Sequence, residues 1–76
     1  PAPETRLRLA PGVLHALVPE PDGGASLRWV GAPMTLDATQ AGWMERLAEG
    51  ATPAELGEGA LEFCRRLVRR GLLAPA

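Results

Sequence analysis

Two side chains could carry nucleophilic or ligating chemistry, His15 and Cys64, and each residue type occurs once in the chain. A metal centre needs several ligands, and a nucleophilic site needs a base with a third group to orient it. His15 lies in an alternating apolar stretch without a second His, or a Cys or carboxylate at ligand spacing. It reads as a structural or half-exposed strand histidine. Cys64 falls on the apolar stripe of a helix, where burial raises a thiol's pKa and makes it inert. A single cysteine also excludes an internal disulfide and a Cys-based zinc site. Glu55, Glu58 and Glu62 suit capping and solubility better than acid–base work. Gly23-Gly24 lacks the strand–glycine loop–helix setting and the Lys of a phosphate cradle, so it reads as a turn. The expectation is a domain with no catalytic residue, no metal and no cofactor.

The remaining candidate is a cluster of arginines at positions 65, 66, 69 and 70, four of the eight basic residues. Its plainest reading is a solvated helix face, with Glu62 paired to Arg65 or Arg66 at i,i+3 or i,i+4. The sharper reading is recognition of an acidic partner. Nucleic acid is disfavoured by the net charge of −1, where DNA-binding domains carry a basic excess. Helix-turn-helix readers use the N-terminal residues of the recognition helix on bases, and here those are Ala60 and Glu62. Glu20-Pro21-Asp22 would also turn acidic groups toward phosphates.

These residues need elements to position them. Ala60 to Arg70 reads as a helix with an apolar face of Leu61, Cys64, Leu67 and Val68, Phe63 lying four residues before Leu67. Gly71 sits at its left-handed stop, and Leu72 and Leu73 then fold back onto the core or pair with a strand. Upstream, residues 1–5 read as a flexible tail and residues 6–76 as one domain. Arg6 to Leu9 alternates as an edge strand does. Val13 to Val18 reads as a strand, with Leu14, Ala16 and Val18 on one face and Val13, His15 and Leu17 on the other. Pro19 to Gly24 is turn chemistry, and Ser26 to Val30 completes a hairpin. Gly31-Ala32-Pro33 breaks the run before a short third strand, Met34 to Leu36, with Met34 and Leu36 inward. Asp37 with Gln40 predicts a capping box opening a helix that Gly50 ends. Its expected buried stripe is Ala41, Met44, Leu47 and Ala48, with Trp43 at the margin. Thr52-Pro53-Ala54-Glu55 opens a very short helix anchored by Leu56 and cut by Gly57 and Gly59.

The order is α+β: an N-terminal two- to three-stranded antiparallel sheet followed by three helices, the last two at helix-turn-helix spacing. That predicts a winged-helix-like domain whose helices cover Leu14, Leu27, Trp29, Met34 and Leu36 on one sheet face. Seventy-six residues hold one core and no large substrate cleft. A hydrophobic fraction of 46% with little net charge indicates a globular chain. Without a long apolar run or a secretion signal, the expected setting is cytoplasmic, with no membrane partner. Lys, Asn, Ile and Tyr are absent while Ala, Gly, Pro and Leu abound. That reads as the base-composition bias of a GC-rich bacterial genome.

From Leu7 onward the chain resembles the PqqD-like recognition element of ribosomal-peptide biosynthesis. The resemblance rests on Leu7-Arg8-Leu9-Ala10-Pro11-Gly12-Val13, Leu36 to Ala41, Gly50 to Leu56, and Leu67 to Leu73; the stretch between Leu56 and Leu61 is shorter than that family has. The resemblance implies a non-catalytic winged helix that captures the leader region of a precursor peptide by strand addition and delivers it to a modifying enzyme. It places the peptide along Met34, Thr35 and Leu36, with Phe63, Arg66 and Arg70 on the flanking helix. The chain is also similar to the C-terminal winged-helix domain of bacterial cupin-type (JmjC-like) hydroxylases, which have a short link of this kind. That implies a structural or dimerisation role, with a homodimer as partner. DNA binding stands third.

Overall fold

The structure, a computed structural model, describes residues 1–29 and 33–76. Val30, expected to close the second strand, and Gly31 and Ala32 of the expected break lie outside the described residues. The elements in chain order are β1 (Leu7–Leu9), β2 (His15–Pro19), β3 (Ala25–Trp29), β4 (Met34–Leu36), α1 (Ala38–Glu49), α2 (Pro53–Leu56), α3 (Ala60–Arg69) and β5 (Leu73–Pro75). The chain is an α+β domain with two antiparallel sheets, one ordered β2-β3-β4 and the other pairing β1 with β5.

The β2–β3 hairpin is set by its turn. Glu20 accepts from the Gly23 N–H at 3.1 Å and donates to the Gly24 carbonyl at 2.9 Å. Gly23 takes φ +91°, as the left-handed residue of a three-residue hairpin loop must. The Gly24 N–H turns to Asp22 Oδ1 at 2.9 Å. The resulting register puts Leu17 opposite Leu27 and Val18 opposite Ser26. On the far side of β3, Leu27 faces Met34 and Ala25 faces Leu36.

Both α1 and α2 open on a reciprocal side-chain cap, whereas α3 starts after Gly59 without one. Asp37 Oδ1 accepts from the Gln40 N–H at 2.8 Å, and Gln40 Oε1 accepts from the Asp37 N–H at 3.0 Å. Thr52 and Glu55 repeat this reciprocal cap on α2, with Pro53 at the first helical position. α3 ends in a Schellman motif. The Leu72 N–H reaches the Leu67 carbonyl and the Gly71 N–H that of Val68, both at 3.0 Å, while Gly71 holds φ +81°. That reversal feeds Leu73 into β5 against Leu9 of β1. β1 is bound on its other side too, since Leu7 and Ala51 exchange N–H···O=C bonds of 2.8 and 3.0 Å. Residues 1–5 touch the helical half: the Ala54 N–H donates to the Pro3 carbonyl at 2.9 Å and Arg65 Nε to that of Pro1 at 3.4 Å.

One core joins all layers. It contains Leu7, Leu27, Leu36, Met44, Leu47, Phe63, Cys64, Leu67, Leu72 and Leu73. Several expectations are corrected by it. Leu14 is exposed, because it precedes β2 and the face turned inward carries Val13 and Leu17 instead. Ala48 is exposed, and the buried stripe of α1 narrows to Met44 and Leu47. Pro53, not Leu56, is the fully buried anchor of α2; Leu56 is half-buried. Glu62 is in neither ion pair found among the described residues, which are Arg6–Glu55 and Arg46–Glu55.

Candidate functional site

Sheet order makes β4 one outer strand of its sheet. Its side chains alternate as expected: Leu36 is buried, Met34 half-buried and Thr35 exposed. The outward-facing backbone follows from the register. Glu20 and Gly24 are directly opposite and hydrogen-bonded, so Val18–Ser26 and Ala16–Arg28 are the next bonded pairs on that side of β3. The N–H and C=O groups of Ala25 and Leu27 therefore turn the other way, to Leu36 and Met34. Thr35 is left as the one β4 residue with both backbone groups directed away from the sheet. Pro33 beyond it has no N–H, and the Asp37 N–H is taken by Gln40.

The α3 residues divide by angle. At about 100° per residue, Arg66 and Arg70 flank the buried stripe on the Phe63 side, while Arg65 and Arg69 point away from it. All four arginines are exposed. Phe63 is 3% exposed and lies in the same core as Leu36. It is a packing residue that ties α3 to the sheet and has no open face for a ligand. Its ring meets Trp43 at 5.4 Å between centroids, tilted by 57°. Trp43 in turn donates Nε1–H to the Leu56 carbonyl at 3.0 Å, strapping α1 over the turn before α3.

Cys64 is fully buried, and burial pushes its thiol pKa up, in keeping with an inert core cysteine. His15 is exposed on β2, opposite Trp29. Among the described residues no group of three or more His, Cys, Asp or Glu side chains is placed to hold a metal ion. No helix there is long and apolar enough to cross a membrane. The arrangement offers one short backbone edge at Thr35, a half-buried Met34 beside it and an exposed basic flank on α3; the helix packed most fully on β4 is α1, while α3 packs chiefly on α2 and β5.

One feature of the sheet was missed in the sequence: β2 is also an outer strand, and it is exposed along nearly all its length. The available signal was the uncharged run Ala16-Leu17-Val18 ending in Pro19. No protein-family model matches the chain, nor does any curated protein or solved structure.

Proposed function

We propose that this domain is a non-catalytic, winged-helix-like peptide-binding module that captures the leader region of a ribosomally synthesised precursor by strand addition and presents it to a modifying enzyme. The observation that carries the reading is β4's place at the edge of its sheet, with Thr35 N–H and C=O directed outward. An extended peptide docks on such an edge by main-chain bonding, and alternate side chains supply selectivity. Because this edge presents one fully available residue, side-chain contacts must contribute a large share of the affinity. Met34 supports an apolar contact, and Arg66 and Arg70 support contacts to acidic residues of the peptide. Leu36 and Phe63 act from beneath, by holding the strand and the helix in one core. Tethering the precursor raises its effective concentration at the partner enzyme.

The test is titration of an acidic, apolar leader-type peptide against the chain and two variants. Thr35→Pro removes an N–H that bonds nothing within the sheet, so the fold is retained and peptide affinity falls about tenfold or more. Arg66→Glu with Arg70→Glu weakens acidic peptides by a similar, roughly tenfold factor, and less at high salt. Unchanged affinity in both variants, or tight and steeply salt-dependent binding of duplex DNA instead, would overturn the reading.

A further inference from the structure

β2 forms the other outer strand of the three-stranded sheet, and β3 is its only strand partner among the described residues. Natural edge strands are usually blunted by charge, a bulge, proline or a covering element. β2, His15-Ala-Leu-Val-Pro19, has no Lys, Arg, Asp or Glu, and Pro19 blunts one end only. The exposed large hydrophobic side chains of the described residues are Leu14, 85% exposed, and Val18, 42% exposed. Both belong to this strand or its first upstream residue. The alternation that leaves Thr35 outward on β4 leaves His15 and Leu17 outward on β2, since Ala16 and Val18 bond to Arg28 and Ser26.

A single antiparallel self-pairing uses all of these groups. With a twofold axis at Ala16, His15 faces the partner's Leu17 and Leu17 faces the partner's His15. Each pair exchanges N–H···O=C bonds in both directions. On the outer face, Leu14 falls opposite the partner's Val18 and Val18 opposite the partner's Leu14, so each exposed apolar side chain meets the other kind. Ala16 meets its own copy on the axis, in the closely spaced position without hydrogen bonds, where small side chains fit. Shifting the axis to His15 sets Val18 against the partner's Gly12, and shifting it to Leu17 sets Leu14 against the partner's Glu20. Centring on Leu14 sets Val18 against only the partner's Ala10, and Leu17 against the partner's Pro11, which has no N–H. Centring on Val18 sets Leu17 against the partner's Pro19, which has no N–H, and Leu14 against the partner's Asp22. We propose that two copies of the chain join through β2 in the Ala16-centred register, making one continuous six-stranded sheet with an isologous interface. The dimer leaves β4 at the two outer edges, so it is independent of the peptide reading.

The experiment is site-specific cross-linking with sedimentation. Ala16 is exposed and points away from the core, so Ala16→Cys leaves the fold intact. Facing non-bonded strand positions lie within disulfide reach. Mild oxidation is expected to link Ala16→Cys into a covalent dimer, while Thr35→Cys on β4 stays monomeric, as does the unmodified chain with its buried Cys64. Ala16→Lys places like charges across the axis and raises the dimer dissociation constant about tenfold or more. A chain that sediments as a monomer up to concentrations on the order of millimolar, the range of weak encounters, would overturn the proposal. So would cross-linking at Thr35→Cys in preference to Ala16→Cys. A peptide that protects the Ala16→Cys thiol on a monomeric chain would assign β2 to the peptide and overturn it too.

Discussion

At the residue scale, Glu55 concentrates more of the polar structure than any other side chain described. Its Oε1 accepts from the Thr52 N–H at 3.1 Å, its own N–H donates to Thr52 Oγ1 at 3.2 Å, and Arg6 and Arg46 each approach its carboxylate to 3.8 Å. The Thr52 hydrogen bonds, with the two guanidiniums adding to them, hold its carboxyl below the usual carboxylate range. A lowered folded-state pKa means the charged form is favoured by folding. The stabilisation is present above the unfolded-state pKa and is lost as the pH falls through the folded-state value. Glu55→Gln keeps an acceptor for the Thr52 N–H and loses the charge. The variant is therefore expected to be slightly less stable near neutral pH, the pairs being exposed and screened, and to converge with the unmodified chain in acid. Denaturation midpoints of both across pH check this; a gap that persists unchanged in acid would mean that shape, not charge, sets the difference.

At the element scale, what could be read from sequence divides by the range of the interaction. Both capping boxes, the Gly71 stop and the hairpin turn are local, and their residues announce them wherever the chain goes. The exposure of Leu14 and the burial of Pro53 depend on which elements close over them, and alternation alone does not say which face of a strand is covered. The candidate edge at Met34–Leu36 was legible because Pro33 and brevity mark an outer strand; the burial of Phe63 was underestimated because it depends on Trp43 arriving from α1. Gly24 is a case where fit between elements decides. Its φ is not positive, yet a Cβ there would drive into the Leu36 carbonyl and crowd Asp37. The β2–β3 turn can lie against the end of β4 only with glycine at that place. Gly24→Ala is expected to cost about 1–3 kcal/mol, as overpacking does, in a denaturant titration. Gly42→Ala is the control, because a Cβ there meets nothing within 4 Å. Equal losses in the two would refute the steric account.

At the scale of the whole molecule, β1 binds its two ends into one body. Leu7 is bonded to Ala51 on one side and faces Pro75 on the other, and the Ala76 N–H donates to the Arg6 carbonyl at 2.9 Å. The Cα radius of gyration of 11.4 Å for 76 residues matches the roughly 11 Å of a compact domain of that size. The three-stranded sheet and the helical half thus share one core, and Leu7, 0% exposed, belongs to it together with Leu27 of the sheet and Leu72 of the C-terminal turn. Leu7→Ala should remove about 2–5 kcal/mol, the range for a buried leucine. Whole domains have only about 5–15 kcal/mol, and a small one lies toward the low end. Far-UV circular dichroism follows the helices, while fluorescence follows Trp29 on the sheet and Trp43 on α1. In Leu7→Ala both signals should shift to lower denaturant together, with coincident transitions. With Trp43→Phe in both chains, so that emission comes from Trp29 alone, a helical signal that weakens while Trp29 fluorescence keeps its original midpoint would show that the sheet folds without β1, and that the two sheets are not one cooperative structure.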